Sequence, residues 1–113
     1  MEQNNSQLVE EQDIEVQEDE NYLGHWGRKR ENYLKNYKKS IYKEFKTSGY
    51  LEEHLKNIDR DADRMEDFLV SRMAELEGVT EELKQADQMG WVGAMNNIVY
   101  RAREIVDSEL IFT

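Results

Sequence analysis

The sequence contains no cysteine and no proline, and only six of its 113 residues are glycine. Without cysteine the chain forms no disulfide and offers no thiolate to a metal, so a reducing compartment suits it. Without proline it has few enforced breaks, which favours long helices. It also lacks an apolar run long enough to cross a bilayer and the basic-then-apolar pattern of a secretory signal. We therefore expect a cytoplasmic protein without a membrane segment.

Charge is unevenly distributed along the chain, which has a formal net charge of −10. Residues 1–20 hold eight acidic residues and no basic one, residues 21–49 hold eight basic and two acidic residues, and residues 50–113 hold fifteen acidic and seven basic residues. A basic segment thus lies between two acidic ones. Residues 1–20 have too few apolar residues to offset chain entropy, so they predict an acidic, mostly disordered tail before a single helical domain, 21–113. Alternatively, part of the tail docks as a short strand or turn through Val9, Ile14 and Val16.

Two long segments with helical periodicity follow the tail. The first is predicted from Trp26 to Thr47, ends before Gly49, and has one apolar face formed by Leu23, Trp26, Leu34, Tyr37, Ile41 and Phe45. The second is predicted from Tyr50 to Glu77 and ends before Gly78. Its apolar residues are three or four apart and form a narrow seam of the coiled-coil kind: Leu51, Leu55, Ile58, Ala62, Met65, Leu69, Met73 and Leu76.

A short helix and a third long helix complete the predicted fold. Thr80 is a plausible N-cap for a short helix through Ala86, and Asp87 can cap the helix that follows. The apolar face of that last helix comprises Trp91, Val92, Met95, Ile98, Val99, Ala102, Ile105, Val106 and Leu110. The sequence therefore predicts an all-α protein, an antiparallel bundle of three long helices plus one short helix.

The start of the third long helix carries two glycines, although a glycine in a helix interior costs about 1 kcal/mol relative to alanine. One interpretation is an interaction face on which small residues allow another backbone to approach, either the short helix or a second subunit. That face comprises Gly90, Gly93, Ala94 and Asn97. The other interpretation is a frayed first turn. Together with the narrow seam of the second helix, the glycine face favours a homodimer.

No catalytic residue, cofactor or metal site is predicted. His25 and His54 lie on different segments, and the chain has neither a nucleophile motif nor a phosphate-binding glycine loop. Asp59, Asp61 and Asp63 alternate as in a calcium loop, but Arg64 occupies the position that requires glycine, and the twelfth position is not glutamate. These carboxylates are better interpreted as a solvated helix face.

The first predicted helix carries a basic stripe that could follow a phosphate backbone, and its residues are our candidates for nucleic-acid binding: Arg28, Lys35, Lys39, Lys43 and Lys46. The alternative is an ordinary solvated lysine face. A sequence pI near 4.7 opposes the approach of free DNA at long range.

Three segments carry a resemblance to a known family. GVTEELKQADQMGWVGAMNNI (78–98) and AREIVDSELIF (102–112) resemble the C-terminal half of the TnpV proteins, small proteins encoded by transposons and other mobile elements. GRKRENYLKNYKKSIYKEFKTSGYLEEHLKNID (27–59) resembles their N-terminal helical half. The resemblance implies an accessory gene of a mobile element and supplies no catalytic residue.

Three functional hypotheses follow from the sequence and the resemblance. The first is a non-enzymatic accessory protein that acts through an unidentified protein partner or by regulation. The second is a DNA-binding accessory factor, related to excision, that uses the basic first helix. The weaker third is an acidic mimic of DNA, which rests on the net charge alone.

Overall fold

A computed structural model describes residues 23–113. The predicted acidic tail, with its Val9, Ile14 and Val16 set, lies outside the described residues. The described part is 87% helical and contains no strand, which confirms the all-α fold class. Its elements, in chain order, are α1 (His25–Tyr37), α2 (Lys39–Ser48), α3 (Leu51–Leu76), α4 (Glu81–Ala86), α5 (Gln88–Val106) and a π-helical turn (Asp107–Ile111).

The ends of α2, α3 and α4 and the start of α5 fall where the sequence places them, for local chemical reasons. Gly49 and Gly78 end α2 and α3 with φ angles of +81° and +74°, a left-handed conformation that glycine adopts without steric cost. The Thr80 hydroxyl accepts a hydrogen bond of 3.4 Å from the Leu83 N–H at the start of α4. The Asp87 carboxylate caps α5 in the same way. These contacts confirm the predicted bounds of α3, α4 and the start of α5 to within a residue or two.

Helix α3 is the centre of the fold, and α1 and α5 pack against it on either side of its seam. Both run antiparallel to α3. The buried cluster at the centre draws one residue from each of α1, α3, α5 and the π-helical turn: Trp26, Ala62, Val106 and Ile111. The narrow seam of α3 is therefore covered largely by two helices of the same chain, which removes one of the two reasons for expecting a homodimer.

The first predicted helix is wrong as a single helix, because the chain breaks at Lys38, where φ is −134° and ψ is 58°. A straight hairpin turning at Gly49 would place Arg30 roughly level with Phe68. Instead, the Arg30 side chain lies beside His54, 3.2 Å away. The segment between them is therefore too long for a straight hairpin, and α2 turns away from the line of α1. Tyr37, predicted to be in the apolar face, is 74% exposed as a result.

Helix α2 packs against α3 mainly through aromatic side chains. The Phe45 ring lies 4.9 Å from that of Tyr50 and 5.0 Å from that of His54, measured between centroids. None of the residues of α2 is fully buried. Edge-on aromatic contacts of this kind stabilise by about 0.5–1.5 kcal/mol each beyond the area they bury. α2 is thus anchored at its C-terminal end, while the rest of its surface stays open to solvent.

The N-terminus of α1 is capped by a carboxylate of another helix. Asp59 of α3 accepts hydrogen bonds from the backbone N–H groups of Gly24 and Gly27, the latter at 3.2 Å. A Cβ at Gly27 would lie 3.1 Å from the backbone oxygen of Leu55, so the absence of a side chain allows the two helices to touch. The solvated-face interpretation is therefore wrong for Asp59, which is half-buried, and correct for Asp61 and Asp63, which are exposed.

Candidate interaction surfaces

The predicted basic residues are divided between two helices by the break at Lys38. Arg28 and Lys35 lie on α1, and Arg28 donates to the Leu23 carbonyl at 2.7 Å. The ammonium groups of Lys35 and Lys46 each lie 5.8 Å from the centre of the Tyr42 ring, one from each side of the break. The predicted stripe is therefore not a continuous feature of one straight helix.

The break gathers the remaining lysines into a smaller patch, which we call the basic surface: Lys35, Lys39, Lys43 and Lys46 around Tyr42. Lys39, Lys43 and Lys46 fall within about 60° of arc on α2. Within residues 23–113, none of these four lysines forms a salt bridge. All four are exposed, so the basic surface presents its charge to solvent.

The two glycines of α5 have different explanations. Both lie inside α5, so the frayed-turn interpretation is wrong. The Gly90 N–H donates to the Asp87 cap at 3.0 Å, and a Cβ there would collide with the same carboxylate. A Cβ at Gly93 would meet no atom within 4 Å, so Gly93 does not face α4. An approach by a second subunit stays a prediction.

Asn97, the polar member of the predicted glycine face, is engaged within the chain. Its side-chain oxygen accepts a hydrogen bond of 2.8 Å from Arg101, whose guanidinium also pairs with both carboxylate oxygens of Glu77, at 2.7 and 2.9 Å. The fork-to-fork geometry of the Arg101–Glu77 pair ties α5 to the end of α3. Asn97 therefore orients Arg101 in this exposed network.

Replacing Gly93 with alanine is expected to raise the free energy of unfolding by about 0.4–1 kcal/mol, because the site is helical, exposed and free of steric contact. Urea denaturation followed by circular dichroism measures the change. Gly90→Ala is the matched control, and it should give no gain because its Cβ meets the capping carboxylate of Asp87. A loss of stability in the Gly93 variant would indicate that another backbone packs on this face.

A cleft of about 690 Å³ lies between the C-terminal half of α3 and the N-terminal half of α5. Its lining includes apolar residues from both helices and from the connection between them: Val70, Ala74, Val79, Trp91, Met95 and Val99. Four carboxylates and two hydroxyls complete the lining: Glu66, Asp67, Glu75, Glu81, Ser71 and Thr80. We call this feature the cleft. It is not among the surfaces predicted from the sequence.

The carboxylates of the cleft differ in their partners. Glu66 of α3 lies beside the first turn of α1. It accepts hydrogen bonds from the Trp26 indole N–H at 3.3 Å and from the Arg103 guanidinium at 2.7 Å. Glu75 pairs with Arg72 at 3.1 Å. Asp67 and Glu81 are exposed and form no salt bridge within residues 23–113. The free negative charge of the cleft therefore lies at these two residues, one on α3 and one on α4.

The carboxylates are dense enough to affect one another near the start of α1. The pKa of Asp63 is raised, first by desolvation and then by the negative charge of three neighbouring carboxylates, Asp59, Glu66 and Asp67. Only one cation approaches the aromatic part of the cleft: within residues 23–113, the Lys84 ammonium lies 4.7 Å from the centre of the Trp91 ring. The cleft thus combines an apolar surface with exposed carboxylates, Asp67 at its end nearest α1 and Glu81 at its other end.

Comparison with known proteins decides the family. The model of the family described as transposon-encoded protein TnpV matches residues 2–111. The chain belongs to the TnpV family. No curated protein and no solved structure matches the sequence. None of the helices described for this TnpV protein is both long and apolar enough to cross a membrane.

A buried arginine holds the two ends of the TnpV fold together. Arg30 of α1 donates to the Ile111 carbonyl at 2.8 Å and to the Nε2 of His54 at 3.2 Å. Burial lowers the pKa of Arg30, and burial together with the charge of Arg30 lowers the pKa of His54. The neutral imidazole is therefore the acceptor in this contact. It gives His54 a structural role.

The depressed pKa of His54 makes stability depend on pH in a defined direction. Because the unfolded chain takes up a proton at His54 more readily than the TnpV fold does, stability falls as the pH drops below the ordinary histidine pKa of about 6.5. We expect less stability at pH 5.5 than at pH 7.5 in urea denaturation. His54→Asn should reduce this difference, whereas His25→Asn, on an exposed residue, should leave it unchanged. Equal pH profiles for wild type and His54→Asn would contradict the assignment.

Proposed function

We propose that this TnpV protein is a non-enzymatic accessory factor of its transposon that acts in the cytoplasm by binding another protein in the cleft. The family supplies the context, a gene carried by a mobile element. The observation that carries the proposal is the cleft itself, whose apolar lining remains open although α1 covers the neighbouring part of α3. A cleft of several hundred Å³, lined mostly by apolar side chains with a few polar groups, is the usual form of a binding site.

The composition of the cleft favours a macromolecular partner over a reaction. Its polar groups are carboxylates and hydroxyls, and two of the carboxylates, Glu66 and Glu75, are paired with arginines and so are not free to act as general bases. The sequence likewise offers no nucleophile motif. Trp91 and Met95 are the side chains best suited to bury a partner's apolar residue, since aromatic and methionine side chains are enriched in interface cores.

Site-specific photo-cross-linking in cells that carry the element tests the proposal. The photoreactive residue p-benzoylphenylalanine replaces either Ser71 at the cleft or Tyr100, an exposed residue of α5 outside the cleft lining. We expect a protein adduct from Ser71 and none from Tyr100. An adduct of equal yield from both positions, or none from Ser71, would contradict the proposal.

A second candidate function, DNA binding, is favoured by the basic surface. Its lysines are exposed and form no salt bridge within residues 23–113, and Lys35 and Lys46 approach the same tyrosine ring from two helices. Such a cluster can neutralise phosphates, and its binding would weaken as salt rises through counterion release. The patch is smaller than the predicted stripe because Arg28 lies apart from it on α1.

Removing residues 1–20 is expected to strengthen binding of duplex DNA at low salt, because eight acidic residues are covalently joined to the segment that carries the lysines. Binding of DNA by the shortened protein should weaken as the salt concentration rises from about 50 to about 200 mM. Fluorescence anisotropy of labelled duplex DNA measures both effects.

The control for the DNA experiment replaces Lys35, Lys39 and Lys43 with glutamine in the shortened protein, which should remove the gain. A matched triple replacement at Lys29, Lys56 and Lys84, which lie on other surfaces, should retain most of it. If the shortened protein shows no salt-dependent binding, the DNA hypothesis fails.

A further inference from the structure

We propose that the cleft binds an amphipathic helix of a partner protein, with lysine or arginine beside its apolar face, laid end to end with α1. The inference rests on the proposed function, which makes the cleft a protein-binding site, and it specifies the chemistry of the partner. It is carried by the shape of the cleft, its continuity with the α1–α3 interface, and its charge.

The shape of the cleft suits a helix. Its walls are two antiparallel helices, and its lining on α3 extends from Glu66 to Glu75, a length of roughly 14 Å along the helix axis. A partner helix of about ten residues has the same length. The small side chains of Ser71 and Ala74 line the α3 wall. They leave room for a helix backbone to approach, as expected of helix-in-groove recognition.

The cleft also continues an interface that a helix already occupies. Glu66 lines the cleft and at the same time accepts from the indole of Trp26, in the first turn of α1. On one side of Glu66, α1 covers α3; on the other side, the apolar surface of α3 and α5 is open. A second helix placed in the cleft would therefore extend the covered surface beyond the N-terminus of α1.

Helix α1 shows the chemistry that this surface accepts. It buries Trp26 and Leu34 while Lys29 pairs with Asp107 at 2.7 Å, so it is a basic amphipathic helix docked among carboxylates. The cleft offers the corresponding groups: apolar side chains around Trp91, with the carboxylates of Asp67 and Glu81 exposed at its edge. A partner with an acidic flank would be repelled by these two carboxylates.

Two occupants from this chain fit less well. In α2 of a second copy, Ile41 lies about 160° around the helix from both Lys39 and Lys43, so it cannot face the cleft while those lysines lie at its edge. The segment that precedes α1 carries eight acidic residues and no basic one in residues 1–20, so its charge has the same sign as that of the cleft. In α2 of a second copy, Ile41 therefore has neither Lys39 nor Lys43 beside it, and residues 1–20 have no basic residue to place at the edge of the cleft.

Peptide binding tests the inference with the full-length protein. The probe is a fluorescein-labelled designed peptide of about 14 residues, with leucines at helical spacing and lysines on both flanks. A second peptide replaces every lysine with glutamate, and a third scrambles the leucines to destroy the apolar face. We expect the lysine peptide to bind at least roughly tenfold more tightly than either control, as measured by fluorescence anisotropy.

Variants of the protein locate the binding and test its charge. Asp67→Lys with Glu81→Lys should reverse the preference, so that the glutamate peptide binds more tightly than the lysine peptide. Asp61→Lys with Glu104→Lys makes the same change in net charge at exposed sites outside the cleft lining and should keep the original preference. Ser71→Arg, at an exposed position of the cleft, should weaken binding of the lysine peptide and leaves the buried core unchanged.

Three peptide-binding results would overturn the inference: equal binding of the lysine and glutamate peptides, loss of the preference in the Asp61 and Glu104 control, or binding that persists unchanged in the Ser71 variant. Light scattering of the wild-type protein measures whether a second copy of the chain occupies the cleft. A dimer that the Asp67 and Glu81 reversal dissociates would make a second copy the occupant and would also overturn it. If the peptides fail but Ser71 still cross-links to a protein in cells, the proposed function stands and only the chemistry assigned to the partner is wrong.

Discussion

Replacing Trp26 with alanine is expected to lower the free energy of unfolding by about 3–5 kcal/mol, the usual cost of truncating a large buried aromatic residue. Trp26 is 2% exposed and belongs to the central cluster with Ala62, Val106 and Ile111. Its indole N–H also donates to Glu66, so truncation removes both packing and a hydrogen bond between α1 and α3. Urea denaturation followed by circular dichroism measures the loss.

Trp91→Ala is the matched control for this prediction, because the chain has two tryptophans in different surroundings. Trp91 is half-buried, lines the cleft and has the Lys84 ammonium over its ring. Its truncation should cost clearly less stability than that of Trp26 but should abolish binding of the lysine peptide. Equal losses of stability in the two variants would contradict the distinction between a core tryptophan and a cleft tryptophan.

Replacing Asp59 with alanine is expected to have the second-largest effect, lowering the free energy of unfolding by about 1–3 kcal/mol. The substitution leaves the N–H groups of Gly24 and Gly27 without their acceptor and removes a negative charge from the positive end of the α1 dipole. Since α1 itself contributes no acidic residue in its first turn, nothing local replaces the lost carboxylate.

Asp59→Asn serves as the control, since its amide oxygen can still accept from one of the two N–H groups; it should recover part of the lost stability. Asp61→Ala, on the same helix but exposed, should change stability by less than about 0.5 kcal/mol. If Asp59→Ala and Asp61→Ala have the same effect, the carboxylate is not a cap for α1. Hydrogen exchange of the first turn of α1 gives an independent readout.

Local chemistry explains which parts of this fold can be predicted from sequence. The bounds of α3 and α4 follow from residues adjacent in the chain, such as Gly78 with its left-handed backbone and Thr80 with its cap. The break at Lys38 has no such signal, since neither glycine nor proline is present there. It follows from tertiary packing, which places Arg30 beside His54 instead of farther along α3.

The candidate sites show the same division between local and tertiary causes. The lysines of the basic surface could be found from helical periodicity, although the break reduced the predicted stripe. The cleft could not be found, because Val70 and Ala74 lie about 80° and 120° around α3 from the buried Ala62, outside the seam that periodicity emphasises. Gly27 was likewise unremarkable in the sequence, because the residues that explain it, Leu55 and Asp59, lie 28 and 32 residues away.

The bond between Arg30 and the carbonyl of Ile111 joins residues 81 positions apart, and this has a consequence for the order of folding. During synthesis α1 leaves the ribosome long before its carbonyl partner exists, whereas α3, α4 and α5 emerge in sequence and pair with their neighbours. Helix α1 can dock on α3 through Asp59 and His54 before that carbonyl exists, but the buried Arg30 guanidinium stays without this acceptor until the last turn is made. The C-terminal turn therefore stabilises an α1–α3 pair that is already assembled.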